Sequence, residues 1–519
     1  MLGVVPDSRM SSEGVRSRVI FHNGTFVGCP DAEFVVVQGD WIAALGTESP
    51  VSAQMLDDPD RIDLNGQALL PGFIDAHVHI FGSGLTEMGW RIPLEGLSRA
   101  ETNDALAEAV KARGAGTWVL GTGWDESRWS DATYLSREEL DRFSPTSPVG
   151  VVRMDGHLLV LNSKGLQAMS EILSADAFDG LVDTETGEVR EEAAWKVTGT
   201  LEPDESTLSD ALRAAACLCH RQGITTVHTM APQSRVPMLL AAKGRDRLRV
   251  TVFQKAVTAD EVLKVRETDD FDGTWVSFGG IKVFADGSLG AGNAALGEAY
   301  VDGGTGQLNH SDESLQGILR ASEEQGWRTA IHAIGDRAIA QVLEAHVAVD
   351  SSPELRHRIE HFELPAEEQI EHVADLGLYL SMQPNFIGNW SGPESMYERK
   401  LGRVRDEVSN PLRRILDEGV ALAFGSDGMP TSPLYGLHWA VNGSYPSQRL
   451  TAEEAISAYT EGGALFGFEE GAKGVLEAGA LADLVILDRD PTADPGQIAE
   501  RRVVATYVGG ECVYRAKEA

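Results

Sequence analysis

The middle of the chain alternates short apolar runs with longer stretches of helical periodicity, and few folds accommodate that grammar. The runs are "LLPGFIDAHVHIF", "GITTVHTM", "LRVTVFQ", "SFGGIKVFADGS", "RTAIHAIGD", "HRIEHFEL", "GLYLSMQP" and "VALAFGSDG". Between them lie segments such as "DESLQGILRASEEQG" and "AEEQIEHVADLG", whose apolar residues recur near every 3.6 positions and which stop at glycine. Strands alternating with helices build a parallel sheet, and eight of them close a (β/α)8 barrel. The predicted fold class is therefore α/β, a TIM-like barrel over residues 69–469.

Both ends of the chain read differently. "VIFHNGTFVG", "AEFVVVQGDWIAALG" and "RIDLNGQAL" are short strands broken by hairpin turns, and "KGVLEAGALADLVILDRDP" with "RRVVATYVGGECVYR" repeats that signature near the C-terminus. Residues 18–68 and 470–519 are expected to form one composite β-sandwich. Residues 1–17 are expected to be poorly ordered. One barrel interval is out of scale: about 140 residues separate the first two runs, where a plain βα unit needs about 30. This large insert, about residues 81–210, leaves the C-terminal end of strand one, where it could roof an active site.

Charge narrows the partners. Seventy-nine acidic against 44 basic residues give a net charge of −35, which repels nucleic acid and anionic membrane alike. Neither is an expected partner, and a small molecule is. Four cysteines in 519 residues do not make a disulfide framework. With no signal-peptide core and no apolar run near the ~20 residues of a membrane span, the expected location is cytoplasmic. A homodimer is compatible with the sequence, though no motif specifies one.

Barrel chemistry sits at the C-terminal strand ends, and metal-type residues recur there. The first run offers His77 and His79, one residue apart and so on one face of a strand. Taken alone, such a pair is as easily two satisfied core imidazoles as two metal ligands. Lys282 follows in "GGIKVFADGS", His332 in "AIHAIGD", His361 in "RIEHFE" and Asp427 in "AFGSDG". A lysine inside an apolar strand is costly unless partnered, and six metal-type residues spread over five of the eight strands are poorly explained as independent accidents.

As a set, these residues resemble the metal-dependent amidohydrolase superfamily. The words "LLPGFIDAHVHI", "RMDGHLLVLNS", "IKVFADGSLG", "IHAIGDRA" and "FGSDGMP" are similar to those of its type 3 branch, which includes N-substituted formamide deformylases. The resemblance implies two divalent ions, zinc first among zinc, manganese, iron and cobalt. His77 and His79 would bind one ion, and His332 and His361 the other. Lys282 would carry a carbamate bridging both, and Asp427 would touch one ion and shuttle protons as the catalytic acid–base. It further implies hydrolysis of an amide-type C–N bond by metal-activated hydroxide. A lactonase, deaminase or carbamate hydrolase of the same fold is the alternative, and a non-catalytic assembly relative is a remote one.

Around that set the sequence offers weaker candidates. His157, beside Arg153, Asp155 and Asn162, would reach substrate or oxyanion under the resemblance; a turn held by Asp155–Gly156 explains it equally well. His228 is expected as a pocket wall at the end of strand two. Trp124 and Trp129 suggest an aromatic pocket or a packed lid. Asp286 and Gln383 are expected in loops facing the substrate.

Overall fold

The computed structural model describes residues 18–47, 60–154, 156–175, 178–201, 203–265 and 270–517. Residues 1–17 and Asp155, about which expectations were stated above, lie outside the described residues.

Eight parallel strands form one sheet in sequence order: β1 (Phe73–Val78), β2 (Ile224–Ala231), β3 (Arg249–Lys255), β4 (Val276–Phe284), β5 (Thr329–Gly335), β6 (Arg358–Leu364), β7 (Tyr379–Met382) and β8 (Leu422–Phe424). The β1, β2, β5, β6 and β8 strands are buried along their whole length, as expected where helices cover the outside and side chains fill the inside. The sheet closes where the amide of Asp427, just past β8, donates to the carbonyl of His77 on β1 at 2.8 Å. Amphipathic helices supply the outer layer. Asp312–Glu324 buries Leu315, Ile318 and Leu319, and its N-cap Ser311 accepts from the Ser314 amide.

The run read as the first barrel strand is two strands. Ala68–Pro71 pairs antiparallel with Leu484–Leu487, and the chain then breaks at Gly72 before β1. A Cβ at Gly72 would lie 2.3 Å from Thr225 Cγ2, so only glycine permits the handover at this close approach. His79 lies beyond the end of β1, and Ile80–Glu87 is already helical.

Two sheets drawn from both chain ends pack together. One has the order Trp41–Gly46, Phe34–Gln38, Arg18–His22, Asp60–Asp63. The other runs Thr25–Phe26, Ala68–Pro71, Leu484–Leu487, Val503–Val508, Glu511–Arg515. Phe21, Val35, Leu69, Ile486 and Tyr507 share their core. A buried ion pair ties this layer to the barrel: Arg249 on β3 donates to Asp483 through Nε at 2.7 Å and Nη2 at 3.1 Å, and the Gly509 amide completes the carboxylate.

Residues 81–215 form a second compact unit. Its six-stranded sheet has the order Val182–Asp183, Glu188–Arg190, Leu158–Leu161, Val149–Arg153, Val119–Trp124, Arg91–Pro93. Leu106, Trp124, Leu140 and Val151 belong to its core. No helix among the described residues is long and apolar enough to cross a membrane.

Candidate metal centre

The seam between β1 and β8 positions the first ligands. Asp75 on β1 is sealed from solvent, and its carboxylate accepts from the His77 amide at 3.2 Å, the Ser426 amide at 2.9 Å and Ser426 Oγ at 2.5 Å. Those bonds fix the residue on either side of the seam. Asp427 follows with φ of 52°, a left-handed conformation that costs a non-glycine residue about 1–3 kcal/mol and concentrates at functional sites. It brings Asp427 Oδ1 to 3.2 Å from His79 Nε2 and 3.8 Å from His77 Nε2. Among the described residues, His77, His79 and Asp427 are a group whose ligand atoms all lie within 4.8 Å of one another.

The other histidines continue from there as a row of rings. Centroids are 5.6 Å apart for His79–His77, 4.8 Å for His77–His361 and 4.5 Å for His361–His332. His361 gets there through a bulge. On β6, His361 opposes Ala333 and Leu364 opposes Gly335, so three steps match two, with His361 and Phe362 at φ of 74° and 49°. The strict alternation of a strand is broken there.

Hydrogen bonds fix which ring nitrogen faces the centre. His77 Nδ1 meets Glu360 Oε2 at 2.5 Å, His361 Nδ1 meets Gln383 Oε1 at 2.6 Å, and His332 Nε2 meets the Gly287 carbonyl at 3.0 Å. With those nitrogens donating, the lone pairs left over are Nε2 of His77, Nε2 of His361 and Nδ1 of His332. Burial, then the nearby Lys282 cation, pushes His77 well below the usual histidine value; burial, then His332, does the same to His361. Both are neutral rings at pH 7, the form that binds metals.

Lys282 stands beside them with no solvent exposure, and its Nζ has no hydrogen-bond partner among the described residues. It faces the Phe284 ring at 4.7 Å. Burial pulls its pKa down to about 8, against the opposing pull of Glu360 and Asp427.

Several expected substrate contacts are placed otherwise. Gln383 spends its carbonyl oxygen orienting His361. Asp286 is buried, and its carboxylate accepts from the amides of Ala295, Ile334 and Gly335 at 2.9–3.0 Å. It anchors the loop after β4. His228 does not end β2, which runs three residues further; it is fully buried and accepts from Arg358 Nη1 at 3.1 Å. Trp124 has no exposed surface and stacks on Trp129 with centroids 5.6 Å apart, so it fills a core instead of lining a pocket. Arg153 is held by Glu126 at 2.9 and 2.8 Å. His157 Nδ1 meets Glu191 Oε2 at 2.9 Å, and its ring meets the edge of Trp195 at 5.2 Å. Trp124, Arg153 and His157 all belong to the 81–215 unit.

Glu360, like Asp75, escaped sequence reasoning. Glu360 is fully buried between His77 and Arg358, with its Oε1 2.5 Å from Arg358 Nε. The signal was available: Arg358 and Glu360 are opposite charges at i and i+2 on one face of an apolar strand, where unpaired charge is expensive.

Comparison with known proteins gives this geometry a context. The sequence pattern of the Amidohydrolase family matches residues 60–514. The Bacillus subtilis protein YtcJ, whose name carries a provisional amidohydrolase assignment, is 32% identical over 88% of this chain and 91% of its own length. An N-substituted formamide deformylase from Arthrobacter pascens is 26% identical over 93% of this chain and 95% of its own. The crystal structure of an uncharacterized metal-dependent hydrolase from Pyrococcus horikoshii superposes with a TM-score of 0.73 and 26% identity, covering 92% of this chain and 98% of that one. A match over that span, on a barrel with histidines and an aspartate gathered at its mouth, makes this chain a member of the amidohydrolase family.

Proposed function

We propose that the protein is a metal-dependent hydrolase that cleaves the C–N bond of an amide-type small molecule, with N-substituted formamides as the first class to test. The observation that carries this reading is the convergence of His77, His79 and Asp427, with the row of imidazoles and the buried Lys282 amine beside it. The formamide class rests on the Arthrobacter relative.

The residues fit divalent cations. Neutral imidazole and carboxylate are the donor set that zinc and its neighbours prefer. His77, His79 and Asp427 would hold one ion, and His332 and His361 a second. The Lys282 amine, stripped of water and without a hydrogen-bond partner, suits conversion to a carbamate: its lone pair adds to carbon dioxide, a proton leaves, and an anion with two oxygen donors replaces a cation. When bound, such ions supply positive charge that acidifies water and polarises a carbonyl.

The chain supplies the rest. Asp427 takes the proton of the attacking water and returns it to the departing amine. Glu360, Gln383 and the Gly287 carbonyl lock three imidazoles in the tautomer and orientation the centre needs, so no reorganisation accompanies the reaction. The test is amine release from a panel of N-substituted formamides by metal-loaded wild type and Asp427→Asn. We expect the wild type to release amine, chelation to stop it, and the variant to lose about 100- to 10,000-fold in kcat while binding metal. A metal-loaded wild type inert to the panel and to larger amides would overturn the proposal.

A further inference from the structure

A second lysine stands at the same mouth and takes no part in the chemistry above. Lys255 ends β3. Phe253, two residues earlier on the same face, lies inside the barrel with Arg358 and Arg328 at 4.1 and 5.2 Å from its ring. Strand alternation therefore turns Lys255 toward the barrel axis too. In the sheet Lys255 is the register partner of Lys282. Its Nζ lies 4.7 Å from the Phe284 centroid, the same separation at which Lys282 faces that ring, and Phe284 packs on His332 with centroids 5.3 Å apart. One aromatic ring thus connects Lys255 with two members of the candidate metal centre.

Unlike Lys282, Lys255 is exposed. Among the described residues its ammonium has no ion pair and no hydrogen bond, in a chain where acids outnumber bases 79 to 44. A structural lysine in so acidic a protein has many carboxylates available; this one is held against an aromatic face at the C-terminal end of its strand. Although part of its surface is exposed, partial burial of the side chain lowers its pKa from the usual lysine value.

We propose that Lys255 is a substrate-binding residue that receives a carboxylate carried by the substrate, so that the enzyme prefers carboxylate-bearing amides to neutral ones. A single ammonium matches a single negative charge. The inference rests on the hydrolase reading above and names the substrate class for that same site.

The test measures binding and turnover separately. N-formyl amino acids and their carboxamides are titrated by calorimetry into metal-loaded wild type, Lys255→Met and Lys255→Arg, and amine release is followed on the same compounds. The wild type should bind the acids about 10- to 100-fold more tightly than the carboxamides, as one charge-assisted hydrogen bond provides. Lys255→Met should erase that preference without weakening carboxamide binding, and Lys255→Arg should retain most of it. No carboxylate preference in the wild type, or a preference that survives Lys255→Met, overturns the assignment. Preferential binding without any amine release would instead count against the hydrolase reading and leave Lys255 as the anion-binding group.

Discussion

His77 and Glu360 meet through Nδ1 and Oε2 at 2.5 Å, and neither side chain has more than 1% of its surface exposed. A carboxylate behind an imidazole fixes the tautomer, turns Nε2 to the centre and raises the ring's basicity as a ligand. Glu360→Gln keeps the volume and one acceptor but can present an amide donor to the same nitrogen. We expect metal affinity to fall about 10- to 100-fold, read by competition with a chromophoric chelator, with the circular dichroism spectrum unchanged. Wild-type affinity in this variant would remove Glu360 from the site.

Lys282 separates stability from function. A buried amine without a hydrogen-bond partner is a cost to the metal-free fold on the order of 1–3 kcal/mol. Lys282→Met should therefore keep or raise the Tm of metal-free protein while abolishing turnover. Its pH dependence has a definite sign. The folded pKa of about 8 lies below the unfolded value near 10.5, so between those pH values the unfolded chain binds more protons and wild-type stability rises with pH. Any advantage of the variant should shrink from pH 8 to 10.5, which calorimetry at stepped pH will read.

His220 gives the opposite end of the pH scale a handle. It closes the helix before β2, donates from Nε2 to the Arg247 carbonyl at 3.2 Å, and its own carbonyl accepts from Thr506 Oγ1 in the sandwich at 2.7 Å. Burial pulls its pKa down to about 4. The unfolded chain takes up that proton near pH 6.5 and the folded chain only near 4, so stability is lost as pH falls through this window. His220→Asn should be less stable than wild type at pH 7, and the gap in Tm should narrow on going to pH 4. A constant gap would contradict the assignment.

Trp124 distinguishes a core from a pocket. Truncating a fully buried, stacked tryptophan to alanine costs about 3–5 kcal/mol. Trp124→Ala should thus destabilise the 81–215 unit, visible as a shifted denaturant midpoint. A change in KM with no loss of stability would restore Trp124 to the substrate pocket.

The eight barrel strands were legible because each is an apolar run bounded by turn residues, and burial on both faces leaves no alternation to confuse with a surface strand. The centre was legible only in part. His77, Lys282 and His332 stand out as polar residues inside such runs. What the sequence concealed is where hydrogen bonds go. Gln383 and Asp286 are polar residues at strand ends, as substrate contacts are, yet one is spent on His361 and the other on three backbone amides. Trp124 looked like a pocket residue because aromatic content carries no sign of which side is covered. The bulge at His361–Phe362 was equally hidden, since a left-handed bulky residue has no compositional signature.

The central claim is that side chains from β1, β4, β5, β6 and the turn after β8 hold a pair of divalent cations. The most direct measurement is an anomalous-difference map from a crystal of zinc-replete protein. The account predicts two anomalous peaks, one within about 2.0–2.2 Å of His77, His79 and Asp427 donor atoms and one similarly close to His332 and His361, with the ordinary electron density of the same crystal continuing past Lys282 Nζ. A map with no peak at that mouth, or with metal bound elsewhere and Lys282 ending as a plain amine, would contradict it.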